Sequence, residues 1–190
     1  MRVIAGSCRG RRLCGPEGTT LRPTSDKVRE ALFSILGNRV PGSRFLDLYA
    51  GTGAVGIEAL SRGATIVTFV ESDPDAVKLM QKNLKTCQFT NRADVRAGAA
   101  QIFFQHPEWW QGPYDLLFAD PPYTDVSAVD LVLRAWRLDL MSPDGRIIIE
   151  QAARQELPAV ADGGKLIRRY AYGDTALFVF GPTAKDKTAS

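Results

Sequence analysis

Asp47-Leu48-Tyr49-Ala50-Gly51-Thr52-Gly53-Ala54-Val55-Gly56 is a glycine-rich turn set between two periodic segments. Before it, Arg44 to Tyr49 reads as a strand; after it, Ala54 to Arg62 reads as a helix stopped by Gly63. A nucleotide-binding loop needs that context. Glycine at 51 and 53 lets backbone approach a ligand with no Cβ in the way. Glu71 ends the next predicted strand, 20 residues after Gly51, where a carboxylate can accept both hydroxyls of a ribose. The spacing Gly51-x-Gly53-x-x-Gly56 also fits a dinucleotide fingerprint, so NAD has to be weighed. Two details lean elsewhere: Asp47 stands just before the glycines, and the loop holds no cation to seek a phosphate. A carboxylate there suits a cationic ligand, and S-adenosyl-L-methionine carries an ammonium and a sulfonium. The plainer reading, a strand–helix turn without any ligand, leaves Glu71 unexplained.

Working outward, Thr65 to Glu71 is a β-branched strand, and Pro74 to Thr86 a helix with proline in its first turn. Ala93 to Ala97, Tyr114 to Asp120 and Arg146 to Glu150 read as strands, with helices near Ala100 to Gln105 and over Val126 to Arg137. Apolar strands alternating with helices predict a parallel sheet covered on both faces. The end differs: Leu166 to Tyr172 and Thr175 to Phe180 are separated only by Gly173-Asp174, a hairpin signal. Upstream, Thr24 to Leu36 carries an apolar stripe (Val28, Ala31, Leu32, Ile35, Leu36), and Arg2 to Ile4 and Arg11 to Leu13 are candidate short strands. The expectation is an α/β fold with a doubly wound, mostly parallel seven-stranded sheet, a C-terminal antiparallel hairpin and a small N-terminal extension. Residues 1–40 form the basic arm and helix, 41–182 the main domain, and 183–190 a disordered tail.

The chain has 190 residues, 45% hydrophobic and 24% charged, which is room for one domain with its own core. No apolar run reaches the ~20 residues that cross a bilayer, and no apolar h-region follows the charged start. Membrane, secreted and disordered classes are therefore poor fits. Three cysteines (Cys8, Cys14, Cys87) form no CxxC pair and point to reduced thiols in a cytoplasm. The lone histidine, His106, has no partner at metal-ligand spacing, so no metal is expected. Charge is uneven. Residues 1–44 hold nine Lys/Arg against Glu17, Asp26 and Glu30, a balance of +6 in a chain of +3. That suits a polyanion-facing arm, and a solvated surface would look the same; Arg9-Gly10-Arg11-Arg12 favours the arm.

The run Leu117-Phe118-Ala119-Asp120-Pro121-Pro122-Tyr123 ends the fourth predicted strand, where crevices open in a doubly wound sheet. Consecutive prolines fix φ and donate no hydrogen bonds, so the carbonyls beside them are free to face a guest. An exocyclic amino group is a weak nucleophile because its lone pair is delocalised into the ring. A carboxylate and a carbonyl accepting its two N–H groups would aim the nitrogen and help its proton leave. Tyr123 supplies a stacking face, worth about 1–3 kcal/mol per base. A merely structural Pro-Pro turn would not ask for the flanking Asp and Tyr.

On these residues the chain resembles the class I S-adenosylmethionine-dependent methyltransferases, and among them the RsmD family of 16S rRNA (guanine-N2)-methyltransferases. Nearly the whole chain takes part: Arg2-Val3-Ile4-Ala5-Gly6 with Arg9-Gly10-Arg11-Arg12-Leu13, then Leu21-Arg22-Pro23-Thr24-Ser25-Asp26-Lys27-Val28-Arg29-Glu30, the glycine loop, and Asp120-Pro121-Pro122-Tyr123. The resemblance implies S-adenosylmethionine held by Asp47, Ala50, Gly51, Thr52, Gly53, Glu71, Ser72, Ala99 and Ala100. It implies a target guanine of small-subunit ribosomal RNA at Asp120, Pro121, Pro122 and Tyr123, in a partly assembled subunit. Arg9, Arg11, Arg12, Arg22, Lys27 and Arg29 would face that RNA. One position departs: related enzymes carry Asp or Asn after the third strand, where this chain has Ala99-Ala100-Gln101-Ile102-Phe103. Adenine would then rest on backbone N–H groups and apolar packing, at a cost of ~1 kcal/mol for the lost side-chain bond. Two alternatives stay open: an adenine or cytosine amino methyltransferase of DNA, and a non-catalytic RNA-binding module on the same fold. Trp109-Trp110 read as loop anchors or as stacking faces for RNA.

Overall fold

The computed structural model describes residues 1–15, 26–122, 126–161 and 163–183. Arg22, Tyr123 and nearly all of the expected tail (184–190) lie outside the described residues. In chain order the elements are α1 (Asp26–Leu36), β1 (Arg44–Leu48), α2 (Ala54–Ser61), β2 (Ile66–Glu71), α3 (Pro74–Thr86), β3 (Ala93–Ala97), α4 (Ala100–Gln105), β4 (Tyr114–Ala119), α5 (Val126–Leu133), β5 (Met141–Ala152), β6 (Val160–Ala161), β7 (Gly164–Tyr172) and β8 (Thr175–Pro182).

One sheet runs in the order β3-β2-β1-β4-β5-β8-β7-β6. Its first five strands are parallel, and β8, β7 and β6 continue it antiparallel. All seven expected strands are present, with the two-residue β6 as an eighth at the edge. Alternation along each strand divides the core into two layers. Phe45, Phe69, Phe118 and Ile148 pack with Leu32 of α1, Ile57 and Leu60 of α2, and Met80 and Leu84 of α3. Leu46, Leu48, Leu117 and Ile149 pack with Phe103 of α4 and with Val129, Val132 and Leu133 of α5. At Gly56 a Cβ would stand 2.2 Å from the Phe69 ring, so only glycine lets α2 lie this close to β2.

Two boundaries moved. The apolar period predicts α5 to residue 137, but the helix stops at Leu133 and turns lead to Asp139, whose φ is 54°. β5 starts earlier than expected, at Met141, because its register jumps between Tyr114↔Met141 and Leu116↔Arg146 and loops out the residues between. Outside the sheet the arm closes as a small hairpin, with an isolated bridge between Arg2 and Arg12. It lies on α2: fully buried Glu58 accepts from Ile4 N–H (2.7 Å) and Ala5 N–H (2.9 Å), and Ser61 Oγ donates to the Ala5 carbonyl.

Arg29 corrects an expectation. It is 0% exposed, and its Nη2 donates to the Arg2 carbonyl (2.5 Å) and Asp26 Oδ1 (3.0 Å). Position 29 falls on the helix face that carries Val28, Leu32 and Phe33 into the core, so its charge ties the arm to α1 and does not meet RNA. Burial lowers its pKa, an effect partly offset by Asp26 and Glu58. No helix among the described residues is long and apolar enough to cross a membrane.

Candidate active site

Parallel pairing brings the carboxyl ends of β1, β2 and β4 side by side. Leu48 is level with Val70 on one side and Ala119 on the other, and Glu71 is level with Ala97. The glycine loop, Glu71, the β3–α4 turn and Asp120 therefore share one edge, as the sequence reading requires. Asp47, Glu71 and Asp120 fall on the same side of their strands as Phe45, Phe69 and Phe118. They are close enough for the charges of Glu71 and Asp120 to raise the pKa of Asp47, after burial as the main cause.

The three carboxylates do different work. Asp47 is 1% exposed, and its Oδ2 accepts from Gly56 N–H at 2.8 Å. It holds the first turn of α2 against the end of β1, so it serves a ligand through the loop it shapes. Glu71 is half-buried; Oε2 accepts from Gly51 N–H (2.7 Å) and Oε1 from Asp73 N–H (2.8 Å). Ser72 Oγ also donates to Oε1 at 3.5 Å, so Oε2, with Gly51 N–H as its donor, keeps acceptor capacity for a ligand hydroxyl. Gly51 has φ 54°, and nothing lies within 4 Å of the place a Cβ would occupy. The loop thus opens onto free space at Gly51, while Thr52 and Gly53 turn inward and are buried and Ala50 donates its N–H to Val70 O.

Asp120 follows the last residue of β4 and precedes buried Pro121 and exposed Pro122. Burial pushes its carboxyl up to about 7. A carboxylate tuned to neutrality is an efficient proton acceptor near pH 7. Sequence reasoning missed its neighbour Glu150. The register Ala119↔Ile149 places Glu150 one residue beyond on β5, level with Asp120, and it is 4% exposed. A glutamate closing a strand of isoleucines, next to the strand that ends in Asp120, was the available signal.

At the β3–α4 turn, Ala99 is the N-cap of α4 and offers no side-chain cap, so the N–H groups of Ala100 and Gln101 start the helix without an internal partner. Gly98 N–H is held by the Glu71 carbonyl. Trp109 borders this turn, stacked on His106 at 4.7 Å with Arg96 6.0 Å from its ring. Trp110 donates its indole N–H to the Phe103 carbonyl, which makes it an anchor. Arg9, Arg11, Arg12 and Lys27 are exposed, and Arg2, Arg12 and Gly10 line a recess of about 580 Å³ on the arm. Among the described residues no three His, Cys, Asp or Glu gather into a metal site.

The family model described as "Conserved hypothetical protein 95" matches residues 1–181. A Bacillus subtilis relative, the candidate rRNA methyltransferase YlbH, is 36% identical over 95% of this chain and 98% of its own. The ribosomal RNA small subunit methyltransferase D of Escherichia coli is 32% identical over 93% of this chain and 87% of its own. Among solved structures, a candidate methyltransferase from Escherichia coli superposes with TM-score 0.84 at 32% identity, covering 97% of this chain and 99% of that one. The chain belongs to the family that this model defines, the family of the ribosomal RNA small subunit methyltransferases D.

Proposed function

We propose that the protein transfers a methyl group from S-adenosylmethionine to the exocyclic N2 amino group of a guanine in small-subunit ribosomal RNA. The observation that carries this reading is Asp120, raised to about 7 by burial, at the carboxyl end of β4 and beside the glycine loop. Relatives named for ribosomal RNA methylation, matched over 87% and 78% of their own length, support it.

When bound, the cofactor supplies an electrophilic methyl on a sulfonium, a cation that the edge lined by Asp47, Glu71 and Asp120 suits. The loop would meet its amino-acid end at Gly51, where the chain opens onto free space, while Ala50 and the buried Thr52 and Gly53 shape the turn and Asp47 braces it. Glu71 would take the ribose with Ser72 flanking it, and the N–H groups of Ala100 and Gln101 that open α4 beside Ala99 would meet the adenine. Asp120 and the Pro121 carbonyl accept the two N–H groups of the guanine amine, so its lone pair faces the methyl. With the methyl given up by the sulfonium, which would leave as a neutral thioether, Asp120 would accept the amine proton and release it to solvent. Pro122 stiffens the turn, and Tyr123 stacks on the base. A base that starts stacked is extruded at a cost of a few kcal/mol. Contacts from Arg9, Arg11, Arg12, Arg22 and Lys27 to phosphates of the subunit offset it.

Asp120→Ala tests the reading when transfer and cofactor affinity are measured separately on subunits lacking the methyl group. Transfer is expected to fall at least 100-fold, the low end for loss of a proton acceptor, with affinity within about threefold. Loss of both together would make Asp120 structural. Mass spectrometry of the product nucleosides decides the base: N2-methylguanosine supports the proposal, and a methylated adenine or cytosine overturns its specificity.

A further inference from the structure

Asn83 sits within α3 and is fully buried, and the proposed reaction gives it no role. Its amide reaches two pieces of chain that are far apart in sequence. Toward the arm, Oδ1 accepts from Cys14 N–H at 2.7 Å and Nδ2 donates to the Cys14 carbonyl at 3.0 Å. It pairs with that residue as a neighbouring strand would. Toward the glycine loop, the same Nδ2 donates to the Thr52 carbonyl at 3.0 Å. An amide nitrogen has two hydrogens, and both are spent here, one on each piece. Neither a carboxylate nor an apolar side chain of this size satisfies all three backbone groups. Among the described residues the other arm contacts do not touch the glycine loop: Glu58 and Ser61 fasten Ile4, Ala5 and Cys8 to α2, Arg29 of α1 holds the Arg2 carbonyl, and Cys8 Sγ donates to the Cys87 carbonyl just past the end of α3.

We propose that Asn83 is a positioning residue that couples cofactor binding to RNA binding. This rests on the function proposed above. A ligand that stiffens the loop at Thr52 stiffens the amide, and through it Cys14, two residues beyond the exposed Arg11-Arg12 pair. RNA seated on the arm acts back on the loop by the same amount, because coupling between two binding sites is reciprocal.

The experiment measures the affinity of undermethylated small ribosomal subunits for the protein, with and without saturating S-adenosylhomocysteine. The unmodified protein, Asn83→Ala and Glu58→Gln are compared. S-adenosylhomocysteine is expected to tighten subunit binding by the unmodified protein about fivefold or more, the usual floor for coupled sites. In Asn83→Ala that factor falls below about twofold. Glu58→Gln loosens the arm at its other anchor, so it weakens subunit binding equally in both conditions and keeps the factor. A factor that is the same in all three proteins, or near one in the unmodified protein, overturns the inference. Hydrogen exchange on the unmodified protein needs no folded variant. S-adenosylhomocysteine should slow the Cys14 amide several-fold and leave Ile4 and Ala5 little changed, and an unchanged Cys14 overturns the inference. Failure of S-adenosylhomocysteine to bind at all would overturn the cofactor reading and this one with it; binding without coupling overturns this one alone.

Discussion

At the scale of single residues, burial decides what each charge does. Asp120 and Asp47 both keep their protons to higher pH than a free aspartate, and burial is the main cause in each. In the proposed reaction Asp120 acts in its ionised form, so methyl transfer should rise with pH through about 7 and level off above. A pH–rate profile under single-turnover conditions checks this, and a flat profile from pH 5.5 to 8.5 would refute it. The sign for stability is opposite. The folded state binds this proton more tightly than the unfolded one, so the stabilisation is complete below an ordinary aspartate value and lost as pH rises to about 7. Asp120→Asn should therefore be more stable than the unmodified protein at pH 8, by up to about 4 kcal/mol and seen as a higher melting temperature, with the gap closing toward pH 4. Arg29 and Lys27 form a contrasting pair: one is fully buried on its partners and the other exposed. Arg29→Ala should destabilise the fold by about 1–3 kcal/mol, read as a lower melting temperature, because the Arg2 carbonyl loses its donor; Asp26 is half exposed and keeps water as a partner. Lys27→Ala should leave melting unchanged and weaken subunit binding.

At the scale of elements, the loop works because α2 is pressed onto β2. The contact at Gly56 allows no Cβ, and the Asp47 bond to Gly56 N–H fixes where the helix starts. Gly56→Ala should cost about 1–3 kcal/mol in stability, the usual range for overpacking, and weaken cofactor binding as the loop is pushed off its strand. Calorimetric titration with S-adenosylhomocysteine alongside thermal melting checks both effects. Trimming the ring in a Gly56→Ala/Phe69→Leu double variant should recover part of each. Unaltered cofactor affinity in a destabilised Gly56→Ala would detach loop placement from binding.

At the scale of the whole molecule, a basic arm is clamped to the domain that holds the carboxylates. In the proposed function the positive arm would meet the RNA backbone and the acidic edge a cationic cofactor, so opposite fields would serve two ligands. Replacing Arg9, Arg11 and Arg12 together with alanine should weaken subunit binding and flatten its salt dependence. The slope of log K against log salt should fall by about one for each phosphate left without its arginine, with cofactor affinity unmoved. Filter binding over a series of salt concentrations measures it. An unchanged slope would place the RNA elsewhere.

The alternation of apolar strands and helices, the glycine loop with Glu71 twenty residues on, and the Asp120-Pro121-Pro122 run were legible in the sequence, because local periodicity and turn chemistry carry them. The hairpin at the end was legible for the same reason. Where α5 stops and β5 begins was not, since a register jump against β4 sets both limits. Arg29 shows the limit most plainly. In sequence it is one more cation of a basic segment, and only packing reveals that its helix face turns inward. Asn83 and Glu58 were silent for a related reason: each acts on residues distant along the chain, and sequence spacing holds no record of such partners. Local chemistry thus chose the elements and the reacting groups; burial and contacts across the fold chose which charges are free, which are neutralised, and which tie the arm to the loop.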